Sequence, residues 1–233
     1  MKYELLSIEA DAKTSKGTKD GYLTAILYLA PSTEADGIHN LCPMATPECE
    51  EVCLYGSGMA QVFPSVKRAR IAKALAYIAN PDAFAETLAK DIAKLETEAS
   101  SRGLKPAVRI NGTSDLPQLA RKLACRFPHI QFYDYTKIPR AEMHGLANYH
   151  LTFSFSGKNL QECLRVIKKG VNVAVVFSGS LPEAWHGYRV VDGDKNDLRF
   201  LDAKGVIVGL KAKGDAKKAA PTADGFVQIG GRN

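Results

Sequence analysis

Short apolar runs alternate along the chain with longer stretches in which apolar residues recur every three or four positions, the spacing of a helix face. Residues 1–10 contain a first strand pattern. Tyr22–Leu29 is apolar throughout and of strand length, which predicts a strand buried on both faces, as in a parallel sheet. A long irregular stretch follows. Ser65–Ala79 and Pro81–Ser100 then show helical spacing, with a proline at or just before each start.

Beyond these helices, strand and helix patterns alternate regularly. The predicted strands are Ala107–Ile110, Ile130–Tyr135, His150–Phe155, Val171–Phe177, Tyr188–Val191 and Val206–Leu210. The predicted helices are Leu116–Arg126, Pro139–Leu146 and Leu160–Lys169. Apolar strands separated by helices imply right-handed βαβ units. We therefore expect an α/β fold with a mostly parallel sheet, and a partial or full (β/α) barrel is favoured over an open doubly wound sheet.

One domain is expected over residues 1–214, with a long loop at 31–64, because a chain of 233 residues holds a core without disulfide staples. Residues 215–233 are small, polar and basic, and predict a partly disordered tail. The formal net charge is +6, and residues 211–233 supply half of it. This charge admits nucleic acid or another anion as a partner. With no apolar run of membrane-span length and no signal-peptide pattern, a cytoplasmic location is expected.

The loop at 31–64 contains the strongest chemical signal. Cys42, Cys49 and Cys53 form the pattern Cys-x6-Cys-x3-Cys. In a reducing compartment such a group is expected to bind metal, and thiolates favour zinc, copper(I) or iron–sulfur clusters. Two metal interpretations compete, and reduced thiols without a metal are a third alternative. Three cysteines can hold a [4Fe–4S] cluster with one iron left open, whereas with His39 they make a four-ligand zinc site. The x6 spacing favours the cluster, because paired zinc ligands are usually closer in sequence.

Polar residues collect where the predicted strands end, and parallel α/β folds place their sites at those carboxyl ends. Asn111 and Asp115 follow one strand, and Asp134 and Lys137 follow the next. We expect these four residues to line a polar pocket beside the cysteines. A structural interpretation competes with this one, because Ser114 or Asp115 can cap the helix that follows.

Basic residues crowd the helix predicted after the cysteine loop: Lys67, Arg68, Arg70 and Lys73. They form either a solvated helix face or a surface for a phosphate-bearing substrate or nucleic acid. Gly56-Ser57-Gly58 could present backbone amides to an anion, although it lacks the Lys-Ser/Thr of a P-loop. Cys125 and Cys163 stand alone in helical patterns, where a free cysteine acts as a small hydrophobe.

A set of segments spread over residues 12–228 is similar to a known family: GYLTAILYLAP, NLCPMAT-x6-CLY, PAVRINGTSDL, IQFYDYTK, NYHLTFSFS, NVAVVF, DGDKNDLRFLD and GVIVGLKAKG. They resemble the gene product 88 group of phage and prophage proteins. This resemblance implies a bacteriophage protein that acts in the host cytoplasm, without naming a reaction.

A looser resemblance is to the radical S-adenosylmethionine enzymes. These are partial (β/α) barrels with a three-cysteine loop after the first barrel strand. The open fourth iron of their cluster chelates the amino and carboxylate groups of the cofactor. Cys42, Cys49 and Cys53 occupy the corresponding place after Tyr22–Leu29. The resemblance implies an iron–sulfur enzyme with S-adenosylmethionine as cofactor.

The sequence therefore predicts one of two functions. In the first, a [4Fe–4S] cluster bound by the three loop cysteines presents its open iron to a small molecule or S-adenosylmethionine, with the four polar strand-end residues as contacts: Asn111, Asp115, Asp134 and Lys137. In the second, a zinc-stabilised protein binds nucleic acid or takes part in replication. Its zinc is structural and includes His39, and Lys67–Lys73 with the basic tail hold phosphates.

Overall fold

The computed structural model describes residues 2–8, 15–53, 62–222 and 225–231. The strands are β1 (Leu6–Ile8), β2 (Tyr22–Leu27), β3 (Lys105–Arg109), β4 (Gln131–Thr136), β5 (Tyr149–Ser154), β6 (Val173–Phe177), β7 (Ala184–Trp185), β8 (Tyr188–Asp192), β9 (Ile207–Lys211) and β10 (Val227–Gln228). The helices are α1 (Pro47–Glu51), α2 (Pro64–Ala79), α3 (Pro81–Ser101), α4 (Pro117–Arg126) and α5 (Leu160–Ile167). Short 3-10 helices lie at Ser15–Asp20, Arg199–Leu201 and Gly214–Lys217.

One ten-stranded sheet runs through the chain in the order β1-β2-β3-β4-β5-β6-β9-β8-β7, with β10 paired to β6. The pairs from β2 to β6, and those of β6 with β9 and β9 with β8, are parallel. This confirms the mostly parallel α/β sheet. A full barrel is not formed, because in the described residues no pairing joins β1 to β7. These short edge strands run antiparallel to their neighbours and end the βαβ repeat.

Helices cover one face of the sheet. The core on this face combines residues of β2 and α3, all fully buried: Leu23, Ala25, Leu27, Leu88, Ile92 and Leu95. Alternate residues of a strand point to the same face, so β2 contributes every second residue to this core. Each fully buried Leu or Ile stabilises the fold by about 1.5–3 kcal/mol relative to leaving it exposed.

The connection between β8 and β9 covers the other face. Asp197 in this connection accepts hydrogen bonds from Arg109 of β3 at 3.0 and 3.2 Å and from Tyr133 of β4 at 3.3 Å. Phe200 lies edge-on against both Tyr133 and Tyr22, with ring centroids 5.5 and 5.0 Å apart. The central strands are therefore buried on both faces, as the continuous apolar run of β2 predicts.

The C-terminal residues return to the sheet. β5 pairs with β6 only through Phe153 and Ser154, and β10 pairs with the remaining end of β6. Gln228 of β10 accepts a hydrogen bond from the indole nitrogen of Trp185 at 3.1 Å. The sequence predicts partial disorder from residue 215, whereas the described part of this segment contains a 3-10 turn and a strand.

Residues 139–146, predicted to be a short helix, form turns instead. Arg140 has a φ of 64° and Gly145 a φ of 73°. An α-helix needs φ near −63°, so two left-handed residues within this segment prevent a helical ladder. The prediction of a helix here is wrong for that reason. The resulting loop follows β4 at the carboxyl edge of the sheet, where the loops after β2 and β3 also lie.

Candidate metal centre

The cysteine loop is anchored to the carboxyl edge of the sheet by Leu41, which is only 4% exposed. The backbone amide of Leu41 donates to the carbonyl of Ser32 at 3.0 Å, and its carbonyl accepts from the amide of Asp115 at 2.8 Å. Cys42 comes next, and its thiol donates to the carbonyl of Thr113 with 3.7 Å between sulfur and oxygen. Leu41 thereby holds Cys42 against the loop that follows β3.

The other two cysteines are positioned by α1. Thr46 is the N-cap of this helix, and its hydroxyl accepts from the amide of Cys49 at 3.3 Å. The same hydroxyl donates to the carbonyl of Ser156, just after β5, at 3.0 Å. Cys53 lies two residues beyond the end of α1, and its backbone amide donates to the carbonyl of Glu50 at 3.2 Å. One threonine thus starts the helix and ties it to the edge of the sheet.

Lys137, directly after β4, joins the two parts of the cysteine loop. Its ammonium forms a hydrogen bond with the thiol of Cys49 and interacts electrostatically with Cys42 and Asp115. Burial lowers the pKa of Lys137, but these three groups more than offset that effect, and the net result is a raised pKa. The side chain is therefore a permanent cation among the thiols at neutral pH.

Asp115 fixes the backbone of this lysine. Its carboxylate accepts from the amide of Lys137 at 2.7 Å and from the hydroxyl of Thr136 at 2.8 Å. Burial raises the pKa of Asp115 despite those donors and the lysine charge. The Asp115 carboxylate thus fixes the end of β4 and also interacts with the Lys137 ammonium.

Burial also dominates the state of Cys42, whose pKa it raises to about 12. The amide of Ser32 and the charge of Lys137 act in the opposite direction, and Asp115 and Cys53 raise the pKa further. This thiol is protonated at neutral pH unless a metal ion takes the place of the proton. A nucleophilic role would need a lowered pKa, so the geometry does not favour one for Cys42.

The described ranges contain no group of three Cys, His, Asp or Glu side chains arranged to hold one metal ion. A tetrahedral zinc site needs four ligands that converge on one point. His39, the fourth ligand of the zinc interpretation, is 57% exposed, and its Nδ1 lies 2.6 Å from a carboxylate oxygen of Asp36. A preformed zinc site is therefore not present in the described residues.

Asn111 and Asp134 belong to a hydrogen-bond network of their own. Asp134 accepts from the amide and the side chain of Asn111 at 2.6 and 3.0 Å and from the hydroxyl of Tyr149 at 3.1 Å. Asn111 in turn accepts from the amide of Leu116 at 2.7 Å. Burial raises the pKa of Asp134 to about 7, although these donors and Arg109 act against it. The network links β3, β4 and β5 to the start of α4, so contact with a ligand stays a prediction for both residues.

The remaining sequence candidates lie apart from the three loop cysteines. Cys125 is exposed on α4, and Cys163 is buried in α5. On α2, Lys73 donates to the carbonyl of Leu5 at 2.6 Å, and Arg70 lies 4.7 Å from the ring centroid of Tyr28. Two of the four basic residues of this helix therefore bind to the fold itself. Gly56-Ser57-Gly58 lies outside the described residues.

Sequence reasoning missed the two anchors of the loop, Leu41 and Thr46. Thr46 had a local signal, since a threonine followed by proline and glutamate is typical of a helix N-terminus. Leu41 had none, because its partners Ser32 and Asp115 are set by the path of the loop. No helix in the described parts of the chain is long and apolar enough to cross a membrane.

The fold and this site define a class: a mixed α/β protein with an open, mostly parallel sheet and a three-cysteine loop at its carboxyl edge, where Lys137 interacts with Cys42 and Cys49. The particular family follows from a family model, gene product 88, that matches residues 5–225. The chain belongs to this family. The comparisons with curated proteins and with solved structures gave no match.

Proposed function

We propose that the protein binds a [4Fe–4S] cluster through Cys42, Cys49 and Cys53, with the fourth iron open to a ligand. The observation that carries this proposal is the position of the Lys137 ammonium. It hydrogen bonds to Cys49 and interacts with Cys42, whose pKa also responds to Cys53. The three thiols and one cation therefore share a single neighbourhood at the edge of the sheet where α/β proteins place their sites.

Charge supports the assignment. A [4Fe–4S] core in its common 2+ state bound by three thiolates carries one net negative charge. A partly buried ion is tolerated when an opposite charge and hydrogen bonds compensate it, and hydrogen bonds to sulfur also tune the potential of such clusters. Lys137 supplies both the charge and a donor to the sulfur of Cys49.

Geometry separates the cluster from zinc. In a cubane each cysteine binds a different iron atom, so the three sulfurs need not converge on one point. A single zinc ion requires that convergence, and the described residues lack it. His39 is held by Asp36 on the exposed side of the loop. A three-cysteine cluster therefore needs no contribution from His39.

The open iron would face residues at the carboxyl edge, where Asp115 and Lys137 lie. Binding of S-adenosylmethionine is what the looser family resemblance implies. That family typically has Cys-x3-Cys-x2-Cys and a Gly-Gly-Glu segment after the next strand, whereas this chain has Cys-x6-Cys-x3-Cys and Asn111-Gly112-Thr113. Our proposal therefore ends at the cluster and its open iron and names no reaction.

The test is anaerobic purification of the full chain, with iron, acid-labile sulfide and zinc measured on the same sample. We expect about four irons and four sulfides per chain and a broad visible absorption band. Cys42→Ser, Cys49→Ser and Cys53→Ser should each remove most of the iron. Cys125→Ser is the matched control, because it removes an exposed thiol outside the loop and should leave the iron unchanged.

A colourless protein with one tightly held zinc would refute the cluster and favour the zinc-stabilised nucleic-acid-binding function. His39→Ala separates the two further, because it should release zinc but leave a three-cysteine cluster in place. In the nucleic-acid case, binding must weaken as salt is raised, since phosphate contacts release counterions.

A further inference from the structure

A cavity of about 150 Å³ opens at the carboxyl edge, between the N-terminal turn of α4 and the loop that follows β4. This volume is enough for a group the size of a benzene ring. Its charged and polar lining consists of Gln118, Arg121, Arg140 and His144, and no acidic residue lines it. Ile138 and Pro139, which also line it, directly follow Lys137. The cavity is therefore cationic and adjoins the candidate metal centre.

The two arginines of the cavity differ from others in the described residues. Ion pairs with carboxylates occupy Arg102, Arg109, Arg126, Arg165 and Arg199. Within the described ranges neither Arg121 nor Arg140 makes a hydrogen bond or ion pair through its side chain. Both arginines are exposed to solvent, so their guanidinium groups are accessible to an anion at the cavity.

Two carboxylates interact electrostatically with the lining of this cavity, Glu142 with His144 and Glu162 with Arg140. Arg165 binds Glu142 at 2.5 Å and Glu162 at 2.7 and 2.8 Å. Arg140 affects Glu162 only through its charge, without a hydrogen bond. Glu142 and Glu162 therefore pair with Arg165, and in the described residues neither forms an ion pair with Arg121 or Arg140.

Arg140 holds its position at a cost. Its φ of 64° lies in the left-handed region, which costs a residue other than glycine on the order of 1 kcal/mol. A glycine would satisfy the turn without that cost. Arginine at this position therefore costs the fold stability that a glycine would recover.

His144 adds a neutral donor. Its Nδ1 accepts a hydrogen bond from the amide of Leu146 at 3.0 Å, so the proton of the neutral ring is on Nε2. Burial, followed by the charge of Arg121, lowers the pKa of His144, while Glu142 acts against this. The ring is therefore neutral at pH 7, and the charge of Arg121 acts on it.

We infer that this cavity is a phosphate-binding site, with Arg121 and Arg140 as the two charged contacts for the phosphate group of a small substrate. Guanidinium forks match phosphate oxygens in geometry, and two positive charges match a dianionic phosphate monoester. The site stands on the cavity and does not require a cluster. That the same substrate also reaches the thiols rests on the proposed function.

The test is titration calorimetry of the full-length protein with inorganic phosphate, with acetate as the second probe. We expect phosphate to bind in the millimolar range or tighter, and acetate more weakly. Arg121→Gln and Arg140→Gln should each weaken phosphate binding tenfold or more. Arg126→Gln is the matched control, because it removes the same charge from the same helix at a residue paired with Glu86, and it should change binding less than twofold.

Arg140→Gly guards against loss through misfolding, since glycine relieves the left-handed backbone while the guanidinium is removed. It should melt at the same temperature as the wild type or higher and bind phosphate at least tenfold more weakly. The inference fails if the wild type does not bind phosphate, if the cavity variants bind it normally, or if Arg126→Gln loses binding equally. Iron content on the same samples keeps this outcome separate from that of the cluster proposal.

Discussion

The buried carboxyl of Asp134 gives a prediction in which two opposing effects can be weighed. Three donors, the amide and side chain of Asn111 and the hydroxyl of Tyr149, favour the ionised form. Burial at 1% exposure favours the neutral form. Burial is the larger effect and raises the pKa from 3.8 to about 7. The folded protein should therefore keep this proton over a range of pH in which the unfolded chain has released it.

The sign and size of the pH effect follow from that difference. Between about pH 4 and pH 7 the folded state binds one more proton than the unfolded state, so the free energy of unfolding falls as pH rises. At about 1.4 kcal/mol per pKa unit, the gap between 3.8 and about 7 corresponds to roughly 4 kcal/mol. This contribution is complete below about pH 4 and is lost as pH rises through about 7.

The measurement is urea unfolding of the wild type and Asp134→Asn at intervals between pH 4 and pH 8. Other titrating groups are common to both proteins, so the difference between their free energies of unfolding isolates this carboxyl. We expect the difference, wild type minus variant, to fall by up to roughly 4 kcal/mol across the range. A difference that is flat or rises with pH would mean that the three donors outweigh burial, and it would refute the reasoning. Tyr149→Phe, which removes one donor, should move the midpoint of the fall to higher pH.

Three further predictions concern other parts of the chain. The Asp91 carboxylate accepts hydrogen bonds from the backbone amides of residues 4, 5 and 6 at 2.8–3.2 Å. Asp91→Ala leaves those donors without this partner, so it should lower the free energy of unfolding, measured by urea titration, by about 2–4 kcal/mol. Arg109→Met should cost about 3–5 kcal/mol by leaving Asp197 without this cation, and adding Asp197→Leu should recover much of that loss in a double-mutant cycle. Lys137→Met removes a positive charge beside the sulfur, so it should move the reduction potential of a bound cluster to more negative values in a redox titration. An unchanged potential would show that the lysine does not act on the cluster.

The sequence predicted the interior of the sheet well because each strand and helix there has a local pattern. The run of β2 and the helical spacing of α3 bury their residues against each other, and both patterns extend over whole elements. The edges lacked such a signal. The edge strands β1 and β7 are only three and two residues long, and whether a parallel sheet closes depends on how its first and last strands meet. Nothing in the pattern of either strand specifies that meeting.

In the candidate site, too, some features had a local sequence signal and others did not. Spacing alone identified the three loop cysteines, and strand ends alone identified Asn111, Asp115, Asp134 and Lys137. Which of these four approach the thiols could not be read from position, because alternate residues of one strand point to opposite faces. Asp134 lies within β4 and bonds to Asn111 and Tyr149, whereas Lys137 lies beyond the strand end and reaches Cys49. Two residues only three positions apart thus have different roles: Asp134 links neighbouring strands, whereas Lys137 contacts the thiols.

The contact that positions the cysteine loop on the sheet joins two residues that are far apart in sequence. Thr46 caps α1 and at the same time donates to Ser156, 110 residues further along the chain. The cap has a local pattern, but the second contact exists only because the carboxyl end of β5 lies near the loop after β2, with two strands between them. The loop therefore acquires its cysteine arrangement from the completed sheet. It follows that Thr46→Val, which keeps the shape of the side chain but removes both hydrogen bonds, should disturb the metal content of the loop more than the overall stability of the fold.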